Sequence, residues 1–162
     1  NQELCPLAEL LLYFACRAQN VEEWILPALA RGEIVVSDRF TDSTMAYQGV
    51  GRGLGKDLVR DLHRIACRSL TPDLTLLIDI DLDTSLERAH ARNREMADAG
   101  GTPETRMDDQ EIEFHRRVRD AYTEMVQEEP ERFIVVDGRS SIASVADAVW
   151  AVVAPRLGGV RV

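Results

Sequence analysis

The segment SDRFTDSTMAYQG, at residues 37–49, contains residue types that suit a phosphate and metal site. Asp38 offers a carboxylate to Mg²⁺ or to a metal-bound water, and the planar fork of Arg39 can bind two phosphate oxygens at once. An Asp–Arg pair that only caps a strand is the plainer interpretation of this dipeptide when it is taken alone. The segment therefore indicates phosphate chemistry only together with other residues.

A second group of residues suits phosphoryl transfer. Four arginines bracket a loop that contains Gly100-Gly101, namely Arg88, Arg92, Arg94 and Arg106. A hinged loop with arginines can cover a substrate and neutralise the charge that develops as a phosphoryl group moves. For any single one of these arginines, a solvated ion pair with a nearby glutamate is the simpler explanation.

Tyr13 and Arg17 are one helical turn apart and therefore share a face of the predicted first helix. An aromatic ring and a guanidinium on one face can stack on a planar base and bond its exocyclic oxygen. A core aromatic residue beside a surface arginine is the alternative, and the spacing alone favours it.

The stretch GVGRGLGKDL, at residues 49–58, resembles a phosphate-binding loop without having its form. The loop G-x-x-x-x-G-K-[ST] would require glycine at position 50 and a hydroxyl at position 57, because backbone amides and that hydroxyl hold phosphates and Mg²⁺. The sequence has Val50 and Asp57 instead, and Lys56 is its only lysine. No catalytic triad or metal-ligand cluster competes, and His63 lies on a predicted polar helix face exposed to solvent.

Composition predicts one globular domain over residues 1–162. The chain is 45% apolar and 29% charged, and its net charge of −9 argues against a general nucleic-acid binder. No apolar run approaches a membrane span, and no signal peptide is expected. Cys5, Cys16 and Cys67 lack metal-ligand spacing, which predicts a reduced cytoplasmic protein in which Cys16 and Cys67 are buried.

Short apolar runs separated by helical patterns predict an α/β fold with a doubly wound parallel sheet flanked by helices. The predicted strands are residues 34–37, 73–81 and 132–138. The predicted helices are residues 6–32, 56–70, 83–95, 109–129 and 141–157. Ligands of such sheets bind at the carboxyl ends of the strands, where this sequence has Ser37-Asp38-Arg39, Asp79-Ile80-Asp81 and Asp137-Gly138-Arg139.

Taken together, these blocks resemble the thymidylate kinases (dTMP kinases) of the bacterial type, within the P-loop nucleoside monophosphate kinases. The blocks that carry the resemblance are AELLLYFACRAQ, ILPALARGEIVVSDRFTDSTMAYQGVGRG, PDLTLLIDID, RMDDQEIEFHRRVRDAY and FIVVDG. The resemblance implies the P-loop kinase fold and transfer of the ATP γ-phosphate to dTMP to give dTDP, with Mg²⁺. It also implies a homodimer through apolar helices.

The resemblance also implies roles for individual residues. At the dTMP site, it implies that Tyr13 stacks on the base and that Arg17 bonds to the base. It further implies that Thr44 and Gln48 recognise the thymine edge and that Tyr47 lies near the deoxyribose. Asp38 is implied at Mg²⁺ and Arg39 at the dTMP phosphate. For ATP and the lid, at about residues 92–108, it assigns adenine and phosphate contacts to Arg88, Arg92 and Arg139, and the transferring phosphoryl group to Arg106. The lid insertion AGGTPET is longer than the usual bacterial one, so Arg92 and Arg94 are alternatives to Arg106 at the γ-phosphate.

The sequence departs from the family at its start. The family's first strand, its phosphate loop with lysine and its R-E-P-G-G segment have no counterpart, so the fold is expected to be incomplete at the N-terminus. In the implied fold the absent strand lies between residues 34–37 and 73–81, and each unsatisfied buried peptide group costs about 1–3 kcal/mol. We therefore expect these 162 residues alone to be unstable and inactive. A related P-loop kinase and a non-catalytic dimerisation fragment are the alternative functions.

Overall fold

The computed structural model describes residues 4–81, Thr84 and 109–157. These residues form two compact units, which share one helix. The first unit contains the chain up to Thr71 and the segment Phe114–Tyr122, and the second contains the remaining described residues. No described helix is both long and apolar enough to cross a bilayer.

The first unit begins with helix α1 (Pro6–Asn20), which continues into a π-helical turn (Val21–Ile25) and helix α2 (Leu26–Ala30). Proline in the first turn and the absence of β-branched residues favour α1. Its buried residues, Leu10 and Phe14, lie one turn apart and share a core with Val21. The predicted helix 6–32 is thus confirmed up to Ala30, and Gly32, two residues later, has a left-handed conformation.

Helix α3 (Thr41–Thr44) continues into a second π-helical segment (Met45–Gly51), which sequence analysis did not predict. Helix α4 (Lys56–Ala66) follows Gly55, whose φ of 91° suits glycine. Helix α4 packs Val59 and Cys67, the residue after it, into the core formed by α1. Helix α1, helix α3 and the π-helical segment carry the candidate dTMP residues except Arg39, which lies in the irregular stretch before α3.

The second unit contains a two-stranded parallel sheet of β1 (Thr75–Asp79) and β2 (Phe133–Asp137). The register pairs Thr75 with Phe133 and Asp79 with Asp137. Helix α5 (Asp109–Glu128) precedes β2, and helix α6 (Ile142–Val153) with a 3₁₀ turn (Ala154–Leu157) follows it. Two of the predicted strands, their parallel direction and these two helices are therefore confirmed.

The prediction of a strand at residues 34–37 is wrong. These residues form no regular secondary structure, and the side chains of Ile34 and Val36 are 58% and 91% exposed. A strand needs a neighbour that accepts and donates its backbone hydrogen bonds. Within residues 4–81, 84 and 109–157, no segment forms a ladder with this stretch.

Several predicted features lie outside the described residues. The lid at about residues 92–108 is among them, as is the helix 83–95 except for Thr84. Of the predicted buried cysteines, Cys67 is buried as expected, but Cys16 is exposed because it lies on the opposite face of α1 from Leu10 and Phe14. His63 is also not the solvated residue that its polar neighbours predicted, since its Nε2 atom is buried.

Helix α5 packs closely on the π-helical segment at Gly51. A Cβ atom at this position would lie 2.6 Å from Phe114 Cε2 and 3.0 Å from Val118 Cγ2. Arg117 Nη2 also donates to the Gly51 carbonyl oxygen at 3.1 Å. Only glycine leaves room for this contact between the two elements.

We therefore predict that Gly51→Ala in the full-length protein lowers the free energy of unfolding by about 1–3 kcal/mol, because overpacking forces side chains apart. Urea unfolding measures the effect. In a Phe114→Leu background, the destabilisation caused by Gly51→Ala should be smaller by at least about 0.5 kcal/mol, since the effects of substitutions at residues in contact are not additive. Gly53→Ala is the matched control, because a Cβ there meets nothing within 4 Å and its cost should be equal in both backgrounds. An equal cost of Gly51→Ala in both backgrounds would contradict the packing explanation.

Candidate functional site

Arg17 is a partly buried arginine that is held between aromatic rings. Its guanidinium carbon lies 5.2 Å from the ring centroid of Phe14 and 5.4 Å from that of Phe40. Its Nη1 atom is buried and has no hydrogen-bond partner among the described residues. Burial lowers the pKa of the Arg17 guanidinium, although arginine remains charged in proteins. Arg17 thus offers an unused cationic donor.

A layer of neutral polar groups lies next to Arg17. Thr41 Oγ1 and His63 Nδ1 are 2.9 Å apart, and the His63 ring meets the Phe40 ring edge-on. Burial, and then the charge of Arg17, lower the pKa of His63, while Asp42 opposes them. Burial also raises the pKa of the Cys67 thiol, against the effects of Arg17 and Thr41. At neutral pH these groups add no second charge beside Arg17.

Gln48 and Thr44 are buried polar residues on α3 and the π-helical segment, with 7% and 2% exposure. Gln48 Nε2 donates to Glu9 Oε1 at 2.8 Å. Glu9 lies on α1 at a spacing of four residues from Tyr13 and eight from Arg17, so these three residues share one helix face. Tyr13 is half exposed on that face. The arrangement combines a planar ring, a cation and an amide, which together suit a heterocyclic base.

Arg39 has a left-handed backbone, with φ of 68°, which is uncommon for a residue other than glycine. The Ser37 hydroxyl donates to the Arg39 carbonyl oxygen at 3.0 Å, and this hydrogen bond supports the turn. The Arg39 guanidinium lies 4.8 Å from the Tyr47 ring centroid, and its Nη2 is 3.5 Å from the Tyr47 hydroxyl. An exposed guanidinium held over a ring can still turn its donors toward an anion.

Tyr122 on α5 is a further polar residue of this group. Its hydroxyl is 2.8 Å from Ser43 Oγ, and it interacts electrostatically with Tyr47 and Arg39. Burial raises the pKa of Tyr122, so the phenol stays neutral and can donate or accept a hydrogen bond. Sequence analysis missed it, although its position four residues after the buried Val118 on α5 indicates an inward direction.

The second unit contains polar groups at the carboxyl ends of β1 and β2. Gly138 N donates to Asp79 O, and a Cβ on Gly138 would lie 2.6 Å from Ile80 Cγ2. Arg139 folds back on Asp137 through bonds of 2.9 Å from Nε and 2.8 Å from Nη2. Thr84 donates twice to Asp81, and these bonds lower the pKa of that carboxyl. The carboxyl ends of β1 and β2 therefore lie side by side.

The described residues contain no group of three or more histidine, cysteine or acidic side chains that could hold a metal. Mg²⁺ in phosphoryl-transfer sites commonly takes only one or two carboxylates, with substrate phosphates and waters as its other ligands. The exposed carboxylate of Asp38, next to Arg39, fits that donor set. A magnesium ion shared with phosphates is thus compatible with this part of the chain.

A sequence model of the family described as "Thymidylate kinase" matches residues 1–149. The chain belongs to the thymidylate kinase family. It is 49% identical to a thymidylate kinase of Pelobacter propionicus over 151 residues, which are 93% of this chain and 68% of that protein. It is 50% identical to a thymidylate kinase of Solidesulfovibrio magneticus over 148 residues, which are 90% of this chain and 69% of that protein. It is 44% identical to a thymidylate kinase of Trichlorobacter lovleyi over 157 residues, which are 97% of this chain and 73% of that protein.

Membership of the thymidylate kinase family confirms the resemblance drawn from the sequence. The family consists of phosphotransferase enzymes with the P-loop kinase fold, and the parallel sheet with its helices agrees with that α/β class. The structure places all seven residues predicted for dTMP and its metal in the first compact unit. They are Tyr13, Arg17, Asp38, Arg39, Thr44, Tyr47 and Gln48.

The structure does not test every predicted role in the thymidylate kinase site. It brings Arg39 to Tyr47 and leaves Arg17 with an unused donor. Arg88, Arg92 and Arg106 lie outside the described residues. Arg139 is described, and its guanidinium binds Asp137. Their assigned roles remain predictions.

The neutral His63 has a consequence for stability. Its pKa is lowered in the folded protein, whereas the unfolded chain has the ordinary value of 6.5. As the pH falls through 6.5, the unfolded state binds a proton that the folded state does not, so the free energy of unfolding decreases. The contribution of neutral His63 is present above that pH and is lost below it.

We predict that His63→Asn reduces the loss of stability between about pH 7 and about pH 5, the interval in which histidine titrates. Chemical unfolding at several pH values measures it. A comparison of the two proteins at about pH 8, where His63 is neutral in both states, gives the packing cost of the substitution alone. An unchanged pH dependence would show that His63 does not cause the loss.

Proposed function

We propose that the protein transfers the γ-phosphate of ATP to dTMP and forms dTDP. The observation that carries the proposal is the buried, unpartnered Nη1 of Arg17, on the same helix face as Tyr13, in a member of the thymidylate kinase family. A buried cation without an acceptor is costly unless a ligand supplies one. The carbonyl oxygen at C4 of thymine is such an acceptor.

The chemistry of Arg17 distinguishes between pyrimidines. Guanidinium nitrogens only donate, so they bind the C4 carbonyl of thymine and oppose the C4 amino group of cytosine. The Tyr13 ring stacks on the base, while Thr44 and Gln48 bind its edge. A missing methyl group, as in dUMP, costs only roughly 1–3 kcal/mol, because it removes apolar contacts alone.

Arg39 holds the dTMP phosphate, and Tyr47 lies near the deoxyribose. The pairing of Arg39 with the Tyr47 ring supports this proposal, because it fixes a cationic fork beside a planar group. An oxygen of the dTMP phosphate attacks the γ-phosphorus in line, and the bond from that phosphorus to the bridging oxygen breaks, so that ADP leaves. The chain contributes mainly positioning and charge stabilisation. Asp38 would hold Mg²⁺, which would supply positive charge against the phosphates.

On the donor side, we propose that Arg88, Arg92 and Arg139 bind ATP and that Arg106 of the lid stabilises the transferring phosphoryl group. Arg139 forms an ion pair with Asp137 in the structure. This pair is exposed, and exposed ion pairs contribute little to stability because water and salt screen them. Arg139 can therefore exchange Asp137 for a nucleotide phosphate at little cost.

We also propose a cytoplasmic homodimer that forms through apolar helices. Leu7 and Leu11 lie one turn apart on α1 and are 46% and 48% exposed. A second copy of this helix would remove such a stripe from water. Three cysteines without metal-ligand spacing are typical of proteins in a reducing compartment. A sedimentation mass equal to one chain would refute the dimer.

A panel of nucleoside monophosphates tests the proposed function in the full-length protein, with ATP and Mg²⁺ present. We expect kcat/KM to be highest for dTMP, lower for dUMP by roughly 10–200-fold as the missing methyl predicts, and lower still for dCMP. A preference for another monophosphate would identify a related kinase. No turnover with any of them would favour a binding or dimerisation role.

Arg39→Ala in the same protein should reduce kcat by at least about a hundredfold, since loss of one preorganised donor at a developing charge costs that much. The circular dichroism spectrum should be unchanged, because the guanidinium is exposed. Arg31→Ala is the matched control, because Arg31 is an equally exposed arginine that binds Glu33. Unchanged turnover of Arg39→Ala would remove Arg39 from the mechanism.

A further inference from the structure

Glu9 is the partner of Gln48, and its chemistry restricts how the Gln48 amide can be oriented. The two side chains meet at 2.8 Å between Gln48 Nε2 and Glu9 Oε1, in a partly buried contact that joins α1 to the π-helical segment. An ionised carboxylate only accepts hydrogen bonds. The amide must therefore present its NH₂ group, and not its oxygen, to Glu9.

Gln48 has little freedom to avoid this restriction. Its side chain is 7% exposed, and it lies on a helical segment between Thr44 and Gly51, which are themselves buried. The two ends of an amide point in directions about 120° apart, so fixing the nitrogen also fixes the oxygen. With Nε2 on Glu9, Oε1 faces away from the carboxylate and is available as an acceptor.

We propose that Glu9 is a positioning residue that selects the base through Gln48, a proposal that rests on the function proposed above. Thymine has an N–H group at N3, which donates to the fixed Oε1 of Gln48. Cytosine has a lone pair at N3, which Oε1 repels. Arg17 reads C4 with a donor, and Gln48 reads N3 with an acceptor, so cytosine is opposed at two adjacent positions.

A purely structural role for Glu9 is the alternative, in which it only satisfies a buried amide. The two explanations differ in what a Glu9→Gln substitution does. Glutamine has the shape of glutamate but can donate as well as accept, so it allows the Gln48 amide to turn over. A structural role predicts lower stability with unchanged selectivity, whereas a positioning role predicts altered selectivity against cytosine alone.

The experiment compares kcat/KM of full-length wild-type protein and Glu9→Gln for dTMP, dCMP and dUMP. We expect the ratio of dTMP to dCMP to fall by about tenfold or more, because a buried site that hydrogen-bonds a substrate group gives strong discrimination. The ratio of dTMP to dUMP should stay unchanged, since uracil has the same N3–H and C4 carbonyl as thymine.

Two controls make the result decisive. The first is Glu23→Gln, because Glu23 also accepts a hydrogen bond from a glutamine, Gln19, but does so on the exposed surface of the same helical region. This substitution removes the charge of Glu23 and should leave both ratios unchanged. In a Gln48→Leu background, Glu9→Gln should not alter the dTMP to dCMP ratio further. Thermal unfolding of each variant reports any loss of stability separately.

An unchanged dTMP to dCMP ratio in Glu9→Gln would overturn the proposal, as would an equal change in both ratios. A further change in the Gln48→Leu background would show that Glu9 acts without Gln48 and would also overturn it. Failure of the proposed function is distinguishable, because it appears in the wild-type protein as no preference for dTMP over the other monophosphates.

Discussion

The first compact unit depends on a guanidinium that is buried without a complete set of partners. Removing a cation from water costs several kcal/mol before any contact compensates for it. In Arg17 the compensation comes partly from the rings of Phe14 and Phe40, whose faces attract cations. The same helix anchors Leu10 and Phe14 in the core, so the position of the cation is set by apolar packing. This rigid support is what allows an incompletely satisfied charge to persist.

The groups around Arg17 keep that charge available. His63 and Cys67 both have pKa values shifted toward their neutral forms, so neither neutralises the guanidinium nor repels it at neutral pH. The protein as a whole has a net charge of −9, yet the residues grouped here include the two cations Arg17 and Arg39. Each guanidinium can bind an anionic or carbonyl oxygen through direct hydrogen bonds even though the whole molecule is acidic.

The parts of the fold that depend on local patterns could be predicted from the sequence. The apolar runs around Leu77 and Val135 indicated parallel strands, and the helical period of α5 indicated its length. The same pattern at residues 34–37 gave a wrong prediction, because an apolar run records the capacity for burial and not the presence of a neighbouring strand. Pairing is a property of two segments, and a single-sequence pattern contains only one of them.

The candidate site shows the same limit. Tyr13 and Arg17 could be placed on one face because both lie on one helix, and the segment around Asp38 and Arg39 was recognisable from residue types. The partners of these residues could not be recognised, because they are distant in the sequence. The Glu9–Gln48 contact spans 39 positions, and the Ser43–Tyr122 contact spans 79. His63 was misjudged for the same reason, because its burial comes from Phe40 and Thr41 on another element.

The directions of the side chains on the π-helical segment Met45–Gly51 depend on how many residues each of its turns contains. A π turn accommodates one more residue than an α turn, and each residue of a helix rotates the following side chains by about 100°. Removal of one residue from this segment would change the directions of Gln48 and Gly51 together. The contact of Gln48 with Glu9 and the packing of Gly51 on Phe114 therefore depend on the same local geometry.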